Sequence, residues 1–293
     1  MNNKFQQILN EFLKNVDAKD EKELNEKLQE FMEHYNNDEI AYENTDLDDA
    51  YDLLEKAETA KTRSQAIKFA KQAYDVCPDC FDAILFQVQL EENPIKRLQL
   101  LETGLTKEKN KLMNEKFFEK DNIGEFYQLF ETRPYIRGLY AKADYLLLDG
   151  KIKQALDICK EILRLNESDN TGARYLLMAI YAYLEDEKEI LKLYKKYPEE
   201  DLEMLFPLFA LYYKLGNDSK AKEYLDRINN ANPNLLKYYK GTIKVNEKVP
   251  VGYYGRGDSS EVMMYFEQYD FLIDTMPTLS YYIIDYFKKN GKK

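Results

Sequence analysis

Gly150 is followed five residues later by Ala155, and Gly216 five residues later by Ala221, so the same pair recurs after 66 residues, or two units of 33. An internal period of this length constrains the fold more than any other feature of the chain, because each unit is one supersecondary element that must stack on its neighbours. Ala66 precedes Pro78 by twelve residues, Ala221 precedes Pro233 by twelve, and Ala155 stands at the same distance from Glu167. Each slot has a mechanical reason. A small residue on the second helix of a hairpin lets the first helix approach closely. Gly150 and Gly216 fall where one helix ends and a residue tolerant of positive φ turns the chain. Pro78 and Pro233 follow the second helix, where the ring blocks continuation. The units read as helix-turn-helix blocks, none able to bury its apolar stripe alone, so the expected fold is all-α: a right-handed helical-hairpin solenoid with helical N- and C-terminal caps.

Before the repeats, Phe5, Ile8, Leu9, Phe12 and Leu13 form an amphipathic stripe, and Asp20 with Glu23 gives an acidic capping spacing for a second helix from Glu21 to about His34. The expected organisation is an N-terminal helical extension over 1–44, repeats over 45–243 with an insertion near 111–136, and a loop with a C-terminal helical cap over 244–293. In that last part, a short hairpin is possible within GTIKVNEKVPVGYYGRGD. Asp258 and Glu261 predict a helix from Ser259 to about Asp274, and Pro277 starts another, from Thr278 to about Lys289. Leu279, Tyr281, Tyr282, Ile283, Ile284, Tyr286 and Phe287 leave little of that helix polar, so it either folds back or forms a dimer seam.

The repeat slots resemble the tetratricopeptide repeat. Leu202 to Leu235, with Gly216, Ala221 and Pro233, matches its pattern best. Ile136 to Asp169 follows, with Ala143, Gly150 and Ala155, and then Leu47 to Cys80, with Leu54, Ala66, Ala73 and Pro78. Phe81 to about Asn114 and Asn170 to Asp201 are degenerate units, the second lacking the Gly and Ala slots. The aromatic residue that the family carries at its fourth position is replaced by Ala50, Leu139 and Leu205. The stretch FFEKDNIGEFYQLFETRPYIR resembles bacterial tetratricopeptide proteins of unassigned function with an ETRPY-type segment, and a similar element occurs in eukaryotic suppressor-of-tumorigenicity proteins that contain such repeats. The resemblance implies an interaction role and no reaction.

It also implies which residues line the inner face of the array: positions 2, 5, 9 and 12 of each unit. These are Arg137, Tyr140, Asp144 and Leu147; then Thr171, Arg174, Met178 and Tyr181; then Glu203, Phe206, Ala210 and Tyr213. In the first unit they are Asp48, Tyr51, Glu55 and Glu58, which makes that end acidic. Arg and Tyr are enriched where proteins hold peptides or carboxylates. The candidate peptide-binding set is therefore Arg133, Arg137, Tyr140, Arg174, Tyr181, Phe206 and Tyr213. The competing expectation is bracing, with Arg133 or Arg137 paired to Glu131 or Asp144.

Forty-two Lys and Arg against 53 Asp and Glu give a formal charge of −11, which repels nucleic acid, and no run of apolar residues is long enough for a membrane span. The start of the chain does not read as a signal peptide, and three cysteines give no disulfide framework, so a cytoplasmic protein is expected. The partner expected is a protein or extended peptide, with a homodimer through the last helix as an alternative. A thiol-redox protein using Cys77 and Cys80 is another, although this C-x-x-C follows a helix where the redox motif follows a strand. His34 is the single histidine, with no nucleophile motif beside it, and no cofactor or metal is expected. Arg256-Gly257-Asp258 reads as a turn into the cap.

Overall fold

The structure, a computed structural model, describes residues 3–37, 44–244 and 253–290. Among these residues all regular structure is helical, packed in adjacent pairs, and no strand forms. The possible hairpin falls mostly on 245–252, outside the described residues. The chain divides into two compact units, the first made of Met1–Asp121 and Tyr127–Gly138, the second of Asn122–Phe126 and Leu139–Lys293.

Unit 1 contains α1 (Asn3–Asn15), α2 (Glu21–Asn36), α3 (Asp46–Glu58), α4 (Arg63–Val76), α5 (Phe81–Leu90), α6 (Pro94–Asn114) and the start of α7 (Arg133–Leu148). The aromatic stripe of α1 meets α2, with Phe12 stacked on Phe31 at 4.5 Å and Phe5 edge-on to Tyr35 at 4.8 Å. α2 starts where the acidic spacing predicts: the Asp20 carboxylate accepts from the Glu23 N–H at 2.8 Å, and that of Glu23 accepts from the Lys19 N–H at 3.0 Å. α3 starts on a capping box between Thr45 and Asp48. α3 packs on α4, α4 on α5 and α5 on α6, with Ala50, Leu54, Ala73, Cys80 and Ala83 buried between them.

Unit 2 carries the rest of α7 and α8 (Ile152–Leu165), α9 (Ala173–Tyr183), α10 (Glu187–Lys196), α11 (Leu202–Lys214), α12 (Asp218–Ala231), α13 (Leu235–Tyr239), α14 (Ser259–Gln268), α15 (Asp270–Ile273) and α16 (Leu279–Asn290). The helix expected from Ser259 to Asp274 is broken at Tyr269, whose ring enters the core with its hydroxyl 3.4 Å from Glu203. α16 folds back into the unit. Leu279, Ile283 and Tyr286 are buried, whereas Tyr281 stays exposed.

The turns within the hairpins repeat atom for atom in kind. After α7, α9 and α11 the chain closes with paired bonds: Lys151 N–H to Leu146 O and Gly150 N–H to Leu147 O, Asp186 to Tyr181 and Glu185 to Ala182, Asn217 to Tyr212 and Gly216 to Tyr213. This is the Schellman pattern, which needs a left-handed residue. Gly150 and Gly216 supply it at φ 69°, and in the degenerate unit Glu185 adopts φ 58° without being glycine. The exits repeat as well. α4, α8, α10 and α12 each end on a cap residue outside the helical region, Cys77, Asn166, Tyr197 and Asn232, all with φ near −126° to −146° and ψ near 78° to 98°. Pro78, Pro198 and Pro233 follow three of them, and a residue before proline is kept out of the helical region. Glu167 follows the fourth. Ala66, Ala155 and Ala221 are buried at the third position beyond the helix start, and Ile190 holds that place in α10.

Candidate functional site

Asp82, in the first turn of α5, organises a trough in unit 1. The Tyr51 hydroxyl donates to Asp82 Oδ2 at 2.8 Å. Arg137 Nη2 donates to both carboxylate oxygens, at 2.8 and 2.6 Å. One carboxylate thus ties α3, α5 and α7 together.

Close packing beside it fixes that geometry. A Cβ built on Gly138 would lie 2.6 Å from Phe81 Cε1, and one on Gly104 would lie 2.8 Å from Phe81 Cε2. The Phe81 ring therefore sits against two glycines, which lets the first turns of α7 and the middle of α6 close on α5. Arg137 reaches Asp82 because of this approach.

The trough has a volume of about 980 Å³. One wall is the α3 stripe of Asp48, Tyr51, Asp52, Glu55 and Glu58, and Asp82, Leu85, Phe86 and Gln89 of α5 continue it. The insertion adds Tyr127, Phe130, Arg133 and Pro134, and Arg137 completes the lining. All these residues belong to unit 1. Asp82, Leu85 and Gln89 stand at positions 2, 5 and 9 counted from Phe81, in the unit expected to be degenerate. The signal lay in the register already used for α3.

Both arginines of the trough are held by the protein's own groups. Arg137 pairs with Asp82, and neither Glu131 nor Asp144 takes the bracing role expected for them. Arg133 Nε donates to the Tyr127 carbonyl at 2.7 Å and Nη2 to that of Gln128 at 3.3 Å, with the guanidinium over the Tyr127 and Phe130 rings at 5.8 and 6.0 Å. Arg133 fixes the insertion as a wall.

The other five members of the expected set lie in unit 2, where the C-terminal segment covers part of the face they were expected to line. Phe206 is fully buried between Tyr265 and Phe266, with ring centroids at 5.0 and 5.3 Å. Tyr213 bonds Thr278 at 2.7 Å and meets Tyr282 at 5.1 Å. Tyr140 accepts from Gln268 Nε2 at 3.3 Å, and burial raises its phenol well above the usual range. Tyr181 is buried beside Lys160. Arg174 donates to Asp169 Oδ2 at 2.9 Å, pairs with Glu199 at 3.0 Å and stacks over Tyr175 at 4.1 Å. Phe206, Tyr213 and Tyr140 are packing elements here because the C-terminal segment returns over them, while Tyr181 and Arg174 are held by Lys160 and by Asp169 and Glu199.

That return brings carboxylates together. Glu203 accepts from the hydroxyls of Tyr254 at 2.7 Å and Tyr269 at 3.4 Å. Glu261 accepts from Gly257 N–H and Asn232 Nδ2, each at 2.7 Å. Burial pushes the Glu203 carboxyl up to about 7, and that of Asp201 up to about 6. Arg256 pairs with Glu199 at 3.2 Å and Asp201 at 3.6 Å, while Asp258 caps α14. The Arg-Gly-Asp triplet is thus part of a turn into the cap.

Cys80 is buried, and burial pushes its thiol up to about 12, opposite to the shift that makes a cysteine nucleophilic. Among the described residues no group of three His, Cys, Asp or Glu side chains is arranged to hold a metal, and no helix is long and apolar enough to cross a membrane. Compared with known proteins, the chain matches no family model, and no curated protein sequence is similar to it.

Proposed function

We propose that the protein is a non-catalytic binding module of the tetratricopeptide type, a right-handed helical-hairpin solenoid that holds an extended peptide or a strip of another protein in the unit 1 trough. The trough carries the reading. Its walls come from positions 2, 5, 9 and 12 of successive first helices, the positions that such repeats turn inward. The recurring Schellman turns and the matching non-helical pre-proline exits support the repeat assignment. The insertion adds a second wall, so a peptide lying along α3 and α5 would meet side chains on both flanks.

Selection of displayed random peptides on the protein, followed by affinity measurement with the Gln89→Trp variant, tests the proposal. Gln89 is exposed on the trough lining, so an indole there fills the channel without touching the core. Selected peptides are expected to bind the variant at least about tenfold more weakly, a loss of about 1.4 kcal/mol, with unchanged melting. Peptides indifferent to the substitution would place the binding function elsewhere or nowhere.

A further inference from the structure

The trough's charge is unevenly used. Its arginines are engaged internally, Arg137 on Asp82 and Arg133 on the Tyr127 and Gln128 carbonyls. The acidic side chains of α3 are used differently along the helix. Asp48 belongs to the capping box at the helix start, where a carboxylate is favourable. Asp52, Glu55 and Glu58 are exposed, line the trough and have no ion-pair partner among the described residues.

Glu55 and Glu58 stand in the last turn of α3, which ends at Glu58. There the helix dipole presents its negative end, and acidic side chains are disfavoured. Folding gains nothing from these two carboxylates, and they face the cavity. The rings of Phe86, on α5, and Phe130, in the insertion, line the same cavity. We infer that the trough takes a basic extended segment, whose Lys or Arg side chains meet Asp52, Glu55 and Glu58 while apolar side chains lie on Phe86 and Phe130.

The inference rests on the trough being the binding site and specifies what fills it. A carboxylate-bearing peptide, which two free arginines would have favoured, meets three acids and no uncommitted cation. Geometry limits the footprint. The stripe from Asp48 to Glu58 rises about 15 Å along the helix, enough for about four or five extended residues at 3.3 Å each. Asp52 and Glu58 are about 9 Å apart along the axis, which matches basic residues about two or three positions apart on an extended chain. Because these groups are exposed, the attraction is salt-sensitive, with a screening length of about 10 Å at 0.1 M ionic strength and about 3 Å at 1 M.

The test uses three end-blocked, fluorescein-labelled pentapeptides, Leu-Lys-Leu-Lys-Leu, Leu-Gln-Leu-Gln-Leu and Leu-Glu-Leu-Glu-Leu, read by anisotropy. They are titrated with the wild-type protein, with D52N/E55Q/E58Q and with Gln89→Trp. A charge-matched control, E30Q/E33Q/E223Q, changes three exposed acids elsewhere. The lysine peptide, with two cations, is expected to bind wild type about three- to fivefold more tightly than the glutamine peptide, at about 0.3–0.5 kcal/mol for each exposed pair. That margin should vanish in D52N/E55Q/E58Q and in high salt but survive in the control. The trough triple variant should also melt no lower than wild type, since its charges do not serve the helix.

Equal loss in the control would assign the preference to the overall charge of −11 and overturn the inference. So would a lower melting point for the trough variant. Tight binding of the glutamine or glutamate peptide that Gln89→Trp abolishes would overturn the basic occupant and leave the trough as a peptide site. Binding that Gln89→Trp does not touch would overturn both.

Discussion

Replacing Glu203 by Gln should stabilise the protein at alkaline pH while leaving it nearly unchanged in mild acid. Glu203 lies in the first turn of α11 and is 9% exposed. Burial is the main cause that raises its carboxyl from 4.5 to about 7, with Asp201 and Glu261 adding repulsion and the Tyr254 and Tyr269 hydrogen bonds opposing it. The folded state therefore holds this proton more tightly than the unfolded chain. Its contribution to stability is fully present below 4.5 and is lost as pH rises through about 7. At about 1.36 kcal/mol per pH unit, that interval amounts to about 3 kcal/mol. Glutamine stays neutral throughout. Its single oxygen can keep the Tyr254 hydroxyl, and its amide N–H can donate to the phenol oxygen of Tyr269. Urea unfolding followed by circular dichroism at pH 5, 6.5 and 8 gives the difference between the two proteins, in which the other titrating groups largely cancel. E203Q should gain on wild type by about 2.5 kcal/mol between pH 5 and pH 8, since part of the effect is already lost by pH 5. A difference that does not change with pH would refute the buried, proton-holding role of Glu203.

Arg174→Met should cost about 3 kcal/mol, because the buried Asp169 carboxylate loses its cation and keeps only the Ala173 and Arg174 N–H groups; a loss below about 1 kcal/mol in urea unfolding would show that the pair is not structural. Glu185→Gly should stabilise by about 0.5–1 kcal/mol by relieving the left-handed backbone, seen as a higher melting point; no rise would mean that the 3.3 Å pair with the largely buried Lys214 ammonium outweighs the strain. Gly138→Ala should lose about 1–3 kcal/mol from the clash with Phe81, measurable as a lower midpoint in urea.

Paired helices were legible in the sequence because their punctuation is local. Gly150, Gly216, Pro78 and Pro233 act through their own backbone, and the capping pair Asp20 and Glu23 acts within one turn. Pro198 marks a third pre-proline exit that was equally readable. The turn at Glu185 was not readable, since a left-handed glutamate is held by the helices it joins and carries no composition signal. The candidate site was half legible. Arg133 and Arg137 lie on the trough, as do Tyr51, Glu55 and Glu58 from the acidic end. Tyr140, Phe206 and Tyr213 are covered by the returning C-terminal segment, and Arg174 and Tyr181 are engaged by Glu199 and Lys160; both are long-range events that periodicity does not encode. The apolar face of α16 hinted at it: a helix polar on so little of its surface has to be covered, and here the chain covers it itself.

Occupancy of the trough is read most directly by amide hydrogen exchange, with and without a saturating peptide selected on the protein. Protection should concentrate in residues 48–58, 82–89 and 127–137, the three stretches whose side chains line the cavity. Protection confined to unit 2, or none in these stretches at saturation, would contradict the assignment of the trough as the binding site.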